Sequence, residues 1–139
     1  MESLCFTSTL FAVEPGEDAE TNPNRFGKQL AGWLSVRLKG LGYPEAEAIP
    51  EDWGWCVICL RQPFLLWVGC GNSETMDTFE HPERAGTQPI IWQCFVEAEV
   101  PVFKRLFGGP DTKPSASKLQ SQLLQLLSCE PGIRMVECP

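Results

Sequence analysis

The chain has a single histidine and a single tyrosine, and no apolar run of the ~18 residues that a membrane helix requires. Every Cys–His or Ser–His pairing must therefore pass through His81, and a membrane span is excluded. Positive charge is also in short supply. Eleven Lys and Arg stand against eighteen Asp and Glu, for a formal charge of -7, which repels phosphate backbones and argues against nucleic acid as a partner. The start lacks the cationic segment and continuous apolar stretch of a secretory signal: Glu2 is acidic, Thr7, Ser8 and Thr9 interrupt the apolar residues, and Glu14 closes them. The expected location is cytoplasmic. The twelve glycines and twelve prolines follow no period, so collagen-like and repeat architectures fall away.

What is present is a core. Hydrophobic residues make up 43% of the 139, with five Trp and eight Phe, a composition incompatible with disorder and sufficient for one domain spanning residues 1–139. The acids concentrate in the middle. Residues 40–103 carry ten acids and two bases, whereas residues 104–139 carry three acids and five bases. A surface of that sign attracts a basic partner, although net negative charge also serves solubility alone.

The patterning alternates between two periods. Residues 4–14 are rich in β-formers and predict a first strand, ended by Pro15 and Gly16. Phe26, Leu30, Trp33, Leu34, Leu38 and Leu41 then trace one face of a helix, with Asn22 or Asn24 as N-cap and Gly40 with Gly42 at its left-handed end. From Trp53 to Cys70 a hairpin is expected around Arg61-Gln62-Pro63, with Trp53, Trp55, Val57 and Cys59 on one face. Residues 72–88 read as a polar, mobile loop, and residues 89–100 as a further strand. A short helix follows Pro101, a longer one carries Leu119, Leu123, Leu126 and Leu127 with Ser115 or Ser117 as cap, and residues 133–136 form a last strand. The expected fold is α+β with two layers: an antiparallel sheet of about four to five strands, helices on one face, in the order β-α-β-β-β-α-α-β.

Candidate chemistry is sparse. Cys56-Val57-Ile58-Cys59 after Trp55 has redox spacing, but a redox cysteine needs a helix N-terminus to acidify it, and this stretch reads as strand. Cys56, Cys59, Cys70 and Cys94 lack the turning knuckles of a zinc site. The seven cysteines, odd in number and set among apolar neighbours, read instead as small buried hydrophobes without a disulfide framework. His81, beside Asp77, Glu80 and Glu83, reads as a solvated loop residue, and Gly69-Cys70-Gly71-Asn72 as a strand end too short to cradle phosphate. No catalytic residue, cofactor or metal set is assigned.

Three segments, Glu20-Thr21-Asn22-Pro23-Asn24-Arg25-Phe26-Gly27, Glu51-Asp52-Trp53-Gly54-Trp55 and Leu66-Trp67-Val68-Gly69-Cys70-Gly71-Asn72, resemble a group of small bacterial proteins without an assigned activity. The resemblance implies a bacterial, cytosolic origin and transfers no catalytic role. The reading that follows is a non-catalytic protein-binding domain, immunity-, adaptor- or chaperone-like, with Glu51, Asp52, Trp53 and Trp55 facing a basic or amphipathic protein. A homodimer through the aromatic face is the related arrangement. The alternative is a small enzyme or ligand-binding protein with a site near the 72–88 loop, using His81 or a cysteine.

Overall fold

A computed structural model describes residues 2–139. Six strands form one antiparallel sheet: β1 (Leu4–Ser8), β2 (Glu47–Glu51), β3 (Gly54–Leu60), β4 (Leu65–Asn72), β5 (Trp92–Glu99) and β6 (Ile133–Val136), in the spatial order β2-β3-β4-β5-β1-β6. The α+β class and the antiparallel sheet are as the patterning predicts. The strand count is not. β2 escapes the sequence because it is short, carries Pro50 and occupies a sheet edge, where a residue without an N–H can be tolerated.

Four helices complete the fold: α1 (Lys28–Lys39), α2 (Met76–Glu80), α3 (Val102–Arg105) and α4 (Lys113–Cys129). Leu30, Leu34 and Leu38 of α1 and Leu119, Leu123 and Leu127 of α4 are fully buried. They pack with Phe6, Val57, Leu66, Val68, Trp92 and Val96 in one core cluster on a single face of the sheet. The 3.6-residue and two-residue periods thus meet in one layer of apolar contact.

Several local expectations give way to tertiary contacts. β1 ends at Ser8, whose hydroxyl donates to the Gly132 carbonyl at 2.8 Å, and does not continue to residue 14. Residues 72–88 are not an open loop: they fold into α2 and a 3₁₀ turn over Pro82–Arg84. A reciprocal cap between Thr75 and Thr78 and the Arg84–Asp77 ion pair at 2.7 Å hold that segment. Neither Ser115 nor Ser117 caps α4, because the helix begins two residues before the first of them, after Thr112. Gly40 ends α1 in right-handed geometry, and only Gly42 has a positive φ, of 105°.

The start of α1 is the most consequential of these differences. Neither Asn22 nor Asn24 is its cap; Gly27 stands there with φ 143°. Its orphan donors are met from a distance by Glu17, the only buried charged residue among those described. Glu17 Oε1 accepts from the backbone of Gly27 at 2.9 Å and Lys28 at 3.3 Å, while Oε2 accepts from Glu14 at 2.7 Å. A carboxylate at a helix N-terminus meets both the free N–H groups and the positive end of the dipole. A side chain on Gly27 would put its Cβ 3.1 Å from the Cys70 carbonyl oxygen, so α1 can begin against β4 only with glycine there.

Cys5 and Cys138 form a disulfide, with Cα atoms 5.2 Å apart, which corrects the expectation that all the cysteines are unpaired. The β1–β6 register explains it: Val136 stands opposite Cys5, leaving Cys138 two residues beyond and within reach. A sequence separation of 133 hides that proximity from local reasoning.

Glu17→Gln keeps one acceptor oxygen but places an amide NH₂ where only donors face it. Its expected cost is about 2 kcal/mol. Urea unfolding of the two proteins measures this directly, and equal midpoints would remove Glu17 from its structural role.

Candidate functional site

The three glycine-containing segments at residues 20–27, 51–55 and 66–72 converge in space. Asn72 accepts from the Phe26 N–H at 2.9 Å and donates to the Asn24 carbonyl at 3.1 Å, while Asn22 donates to the Asp52 carbonyl at 3.0 Å. Gly54, with φ 152°, lies so close to β4 that a Cβ there would approach the Cys70 carbonyl oxygen to 2.6 Å. Two glycines, Gly27 and Gly54, therefore close on one backbone carbonyl. Their convergence is a structural joint, and it turns the chain just before β3.

That turn separates the two tryptophans that the patterning had placed together. Trp55, Val57 and Cys59 face the helices, and Trp55 is 5% exposed. Trp53 comes before the bend at Gly54 and lies on the opposite face of the sheet, where it is 40% exposed. Its ring centroid is 5.6 Å from those of both Trp67 and Phe95, and these two are 5.7 Å apart. Trp55 is thus core, and no partner can reach it without unfolding the helical layer. Trp53 is the center of a different cluster.

Strand registers assign the rest of this second face. Ile58 is paired with both Glu47 and Trp67, and Trp67 is paired in turn with Glu97. In the next row Cys56 is paired with Ile49 and Gly69, and Gly69 with Phe95. The space above Gly69 is filled by the Phe95 ring, whose atoms would be 2.2–2.7 Å from a Cβ at that position. A larger residue at position 69 would push this ring off the sheet. No core residue of α1 or α4 packs here, since the core cluster draws only on the other face.

Acids border the aromatic cluster. Glu51 and Asp52 precede Trp53, and Glu97 and Glu99 share the face with Trp67 and Leu65; all four are exposed, and none forms an ion pair among the described residues. Glu47, on the same face, is paired with Arg61 at 2.9 Å. A hollow of about 220 Å³ adjoins the rings, lined by Arg25, Trp53, Asn72, Glu74, Gln93 and Phe95. Of the four residues expected to meet a partner, the structure brings together Glu51, Asp52 and Trp53 and removes Trp55. Trp67, Phe95, Glu97 and Glu99 were missed. The alternation of Phe95, Glu97 and Glu99 with buried Cys94 and Val96 was legible, but which strand carries Trp67 alongside them is a matter of register.

The other candidate groups do not converge. His81 is partly exposed at the end of α2, its Nδ1 3.6 Å from Glu83 Oε1. Cys56 and Cys59 occupy opposite faces of β3, and burial pushes both thiols up to about 12. Cys70 and Cys94 are cross-strand neighbors with sulfurs 3.9 Å apart; that contact, with burial, holds Cys70 well above the usual thiol range. A hollow of about 480 Å³ forms a wide cleft on the helical layer, lined by Trp33, Arg37, Leu41, Leu126, Cys129 and Glu130 among others. Compared with family models, curated proteins and solved structures, the chain matches none.

The thiols yield a clear expectation. A group held near 12 stays protonated through neutral and mildly alkaline pH, so Cys56 and Cys59 should resist alkylation in the folded protein. Cys129, free and exposed, should be labeled first. Peptide mapping after brief iodoacetamide treatment checks the order; early labeling of Cys56 or Cys59 would restore the redox reading.

Proposed function

We propose that the chain is a non-catalytic protein-binding domain of bacterial type, and that the sheet face left bare by the helices receives a basic, amphipathic segment of another polypeptide. One observation carries this reading. Trp53, Trp67 and Phe95 form a ring cluster on that bare face, bordered by Glu51, Asp52, Glu97 and Glu99. Aromatic side chains supply large contact area with little conformational entropy to lose, and charge at the rim steers encounter and sets orientation. A cationic helix or strand with an apolar stripe satisfies both features at once. Immunity proteins, adaptors and secretion chaperones are the analogous kinds of domain.

A cationic amphipathic Lys/Leu peptide is the direct probe, with tryptophan emission and fluorescence anisotropy as readouts. Binding should weaken about tenfold between ~50 mM and ~300 mM salt as rim charges are screened. Trp53→Ala should cost about tenfold or more. Trp55 is unsuitable as a comparison because its loss would open the core. Affinity that ignores both salt and Trp53 would overturn the reading.

A cytoplasmic setting belongs to the same proposal, and the Cys5–Cys138 bond weighs against it, because disulfides are rare in reducing compartments. Alkylating the thiols inside the producing cells before lysis separates the cases. Free Cys5 and Cys138 support the cytoplasm, and a bond already formed there overturns it.

A further inference from the structure

The reading above leaves a second unpartnered surface unexplained. On and just after α3, four large apolar side chains are exposed within six residues: Val102 by 70%, Phe103 by 63%, Leu106 by 78% and Phe107 by 87%. Lys104 and Arg105 lie among them. So dense an apolar projection on a water-facing segment marks a contact surface. The segment is also anchored. Lys104 Nζ donates to the Pro63 carbonyl at 2.6 Å and Arg105 Nε to the Val100 carbonyl at 3.0 Å. The helix is thereby fixed beside the β3–β4 hairpin with its apolar side chains turned to solvent.

This is a basic, amphipathic element, the chemistry that the bare sheet face suits. It cannot reach Trp53 of its own molecule. Trp53 precedes β3 and Pro63 follows it, and the seven residues of that strand span about 23 Å at ~3.3 Å each. The projection and Trp53 therefore stand at opposite ends of one sheet, with Trp67 and Phe95 between them and Glu97 and Glu99 toward the α3 end. Two molecules laid face to face about a two-fold axis would place each α3 over the other's Trp53, forming both contacts at once and closing the assembly.

We propose that a second copy of this chain occupies the bare sheet face, with α3 of each copy seated against the Trp53–Trp67–Phe95 cluster of the other. The charges fit: Lys104 and Arg105 on the projection meet Glu51 and Asp52 beside Trp53 of the other copy. The inference rests on the proposed function and names the partner of that same surface.

Sedimentation velocity over a range of protein concentration and salt tests it. The wild type should sediment as a dimer that dissociates at high salt. Phe107→Glu should weaken association at least about tenfold, while circular dichroism and urea unfolding remain those of the wild type, and the pair Lys104→Glu with Arg105→Glu, which also removes the anchors of α3, should weaken it as much. Trp53→Ala, on the opposite contact, should do the same. Adding Glu51→Lys and Asp52→Lys to the Lys104 and Arg105 variant should restore the dimer. A monomer at every concentration overturns the inference, as does a dimer indifferent to α3 or to Trp53. So does capture of wild-type monomer, but not the Phe107→Glu protein, by vesicles of phosphatidylglycerol. If the chain stays monomeric yet binds the cationic peptide through Trp53, only the choice of partner fails. If the peptide does not bind either, the function reading falls with it.

Discussion

A single buried carboxylate organizes the helical layer. Glu17 accepts three backbone N–H groups, two of them at the start of α1, and it does so in an environment where an uncompensated charge would be costly. With α1 held there, Leu30, Leu34 and Leu38 descend onto β3 and β4, and the Gly27 backbone closes on the Cys70 carbonyl. The loop ahead of the helix is pinned in turn by Asn72. The acidic stretch that looks like solvent-facing charge in sequence is therefore divided: Glu17 is interior, while Glu20 makes an exposed ion pair with Lys28.

Fixing both long helices on one side leaves the sheet asymmetric. The covered face is packed with aliphatic residues, buried aromatics such as Phe6, Trp55 and Trp92, and cysteine, and its thiols are held protonated where burial reaches them. The other face has aromatics at its center and carboxylates at its edge. Such a division matches what a recognition surface needs, a rigid scaffold behind and a chemically mixed surface in front. The exposed apolar projection on α3 has the complementary composition at the end of the sheet away from Trp53.

Much of the fold was legible because its signals are periodic. The leucine stripes of α1 and α4, the β3–β4 hairpin and the last short strand follow from spacing alone. The site was only half legible. Glu51, Asp52 and Trp53 stand out as an exposed acidic and aromatic turn, and strict alternation grouped Trp55 with them. Gly54 broke that alternation: with no Cβ it adopts a φ of 152° against β4, and the chain crosses from one face to the other. Trp67 and Phe95 belong to strands far apart in sequence, and only the pairing of β4 with β5 places them side by side.

Composition and periodicity alone determined that this chain builds a core, that it mixes helices with an antiparallel sheet, and that its middle is acidic, because these properties depend on residue type and nearest spacing. Strand order, the face taken by each tryptophan, the burial of Glu17 and the meeting of Cys5 with Cys138 were decided by the tertiary structure. Each depends on contacts between residues distant along the chain, and a two-residue period is indifferent to which of two faces a helix will cover.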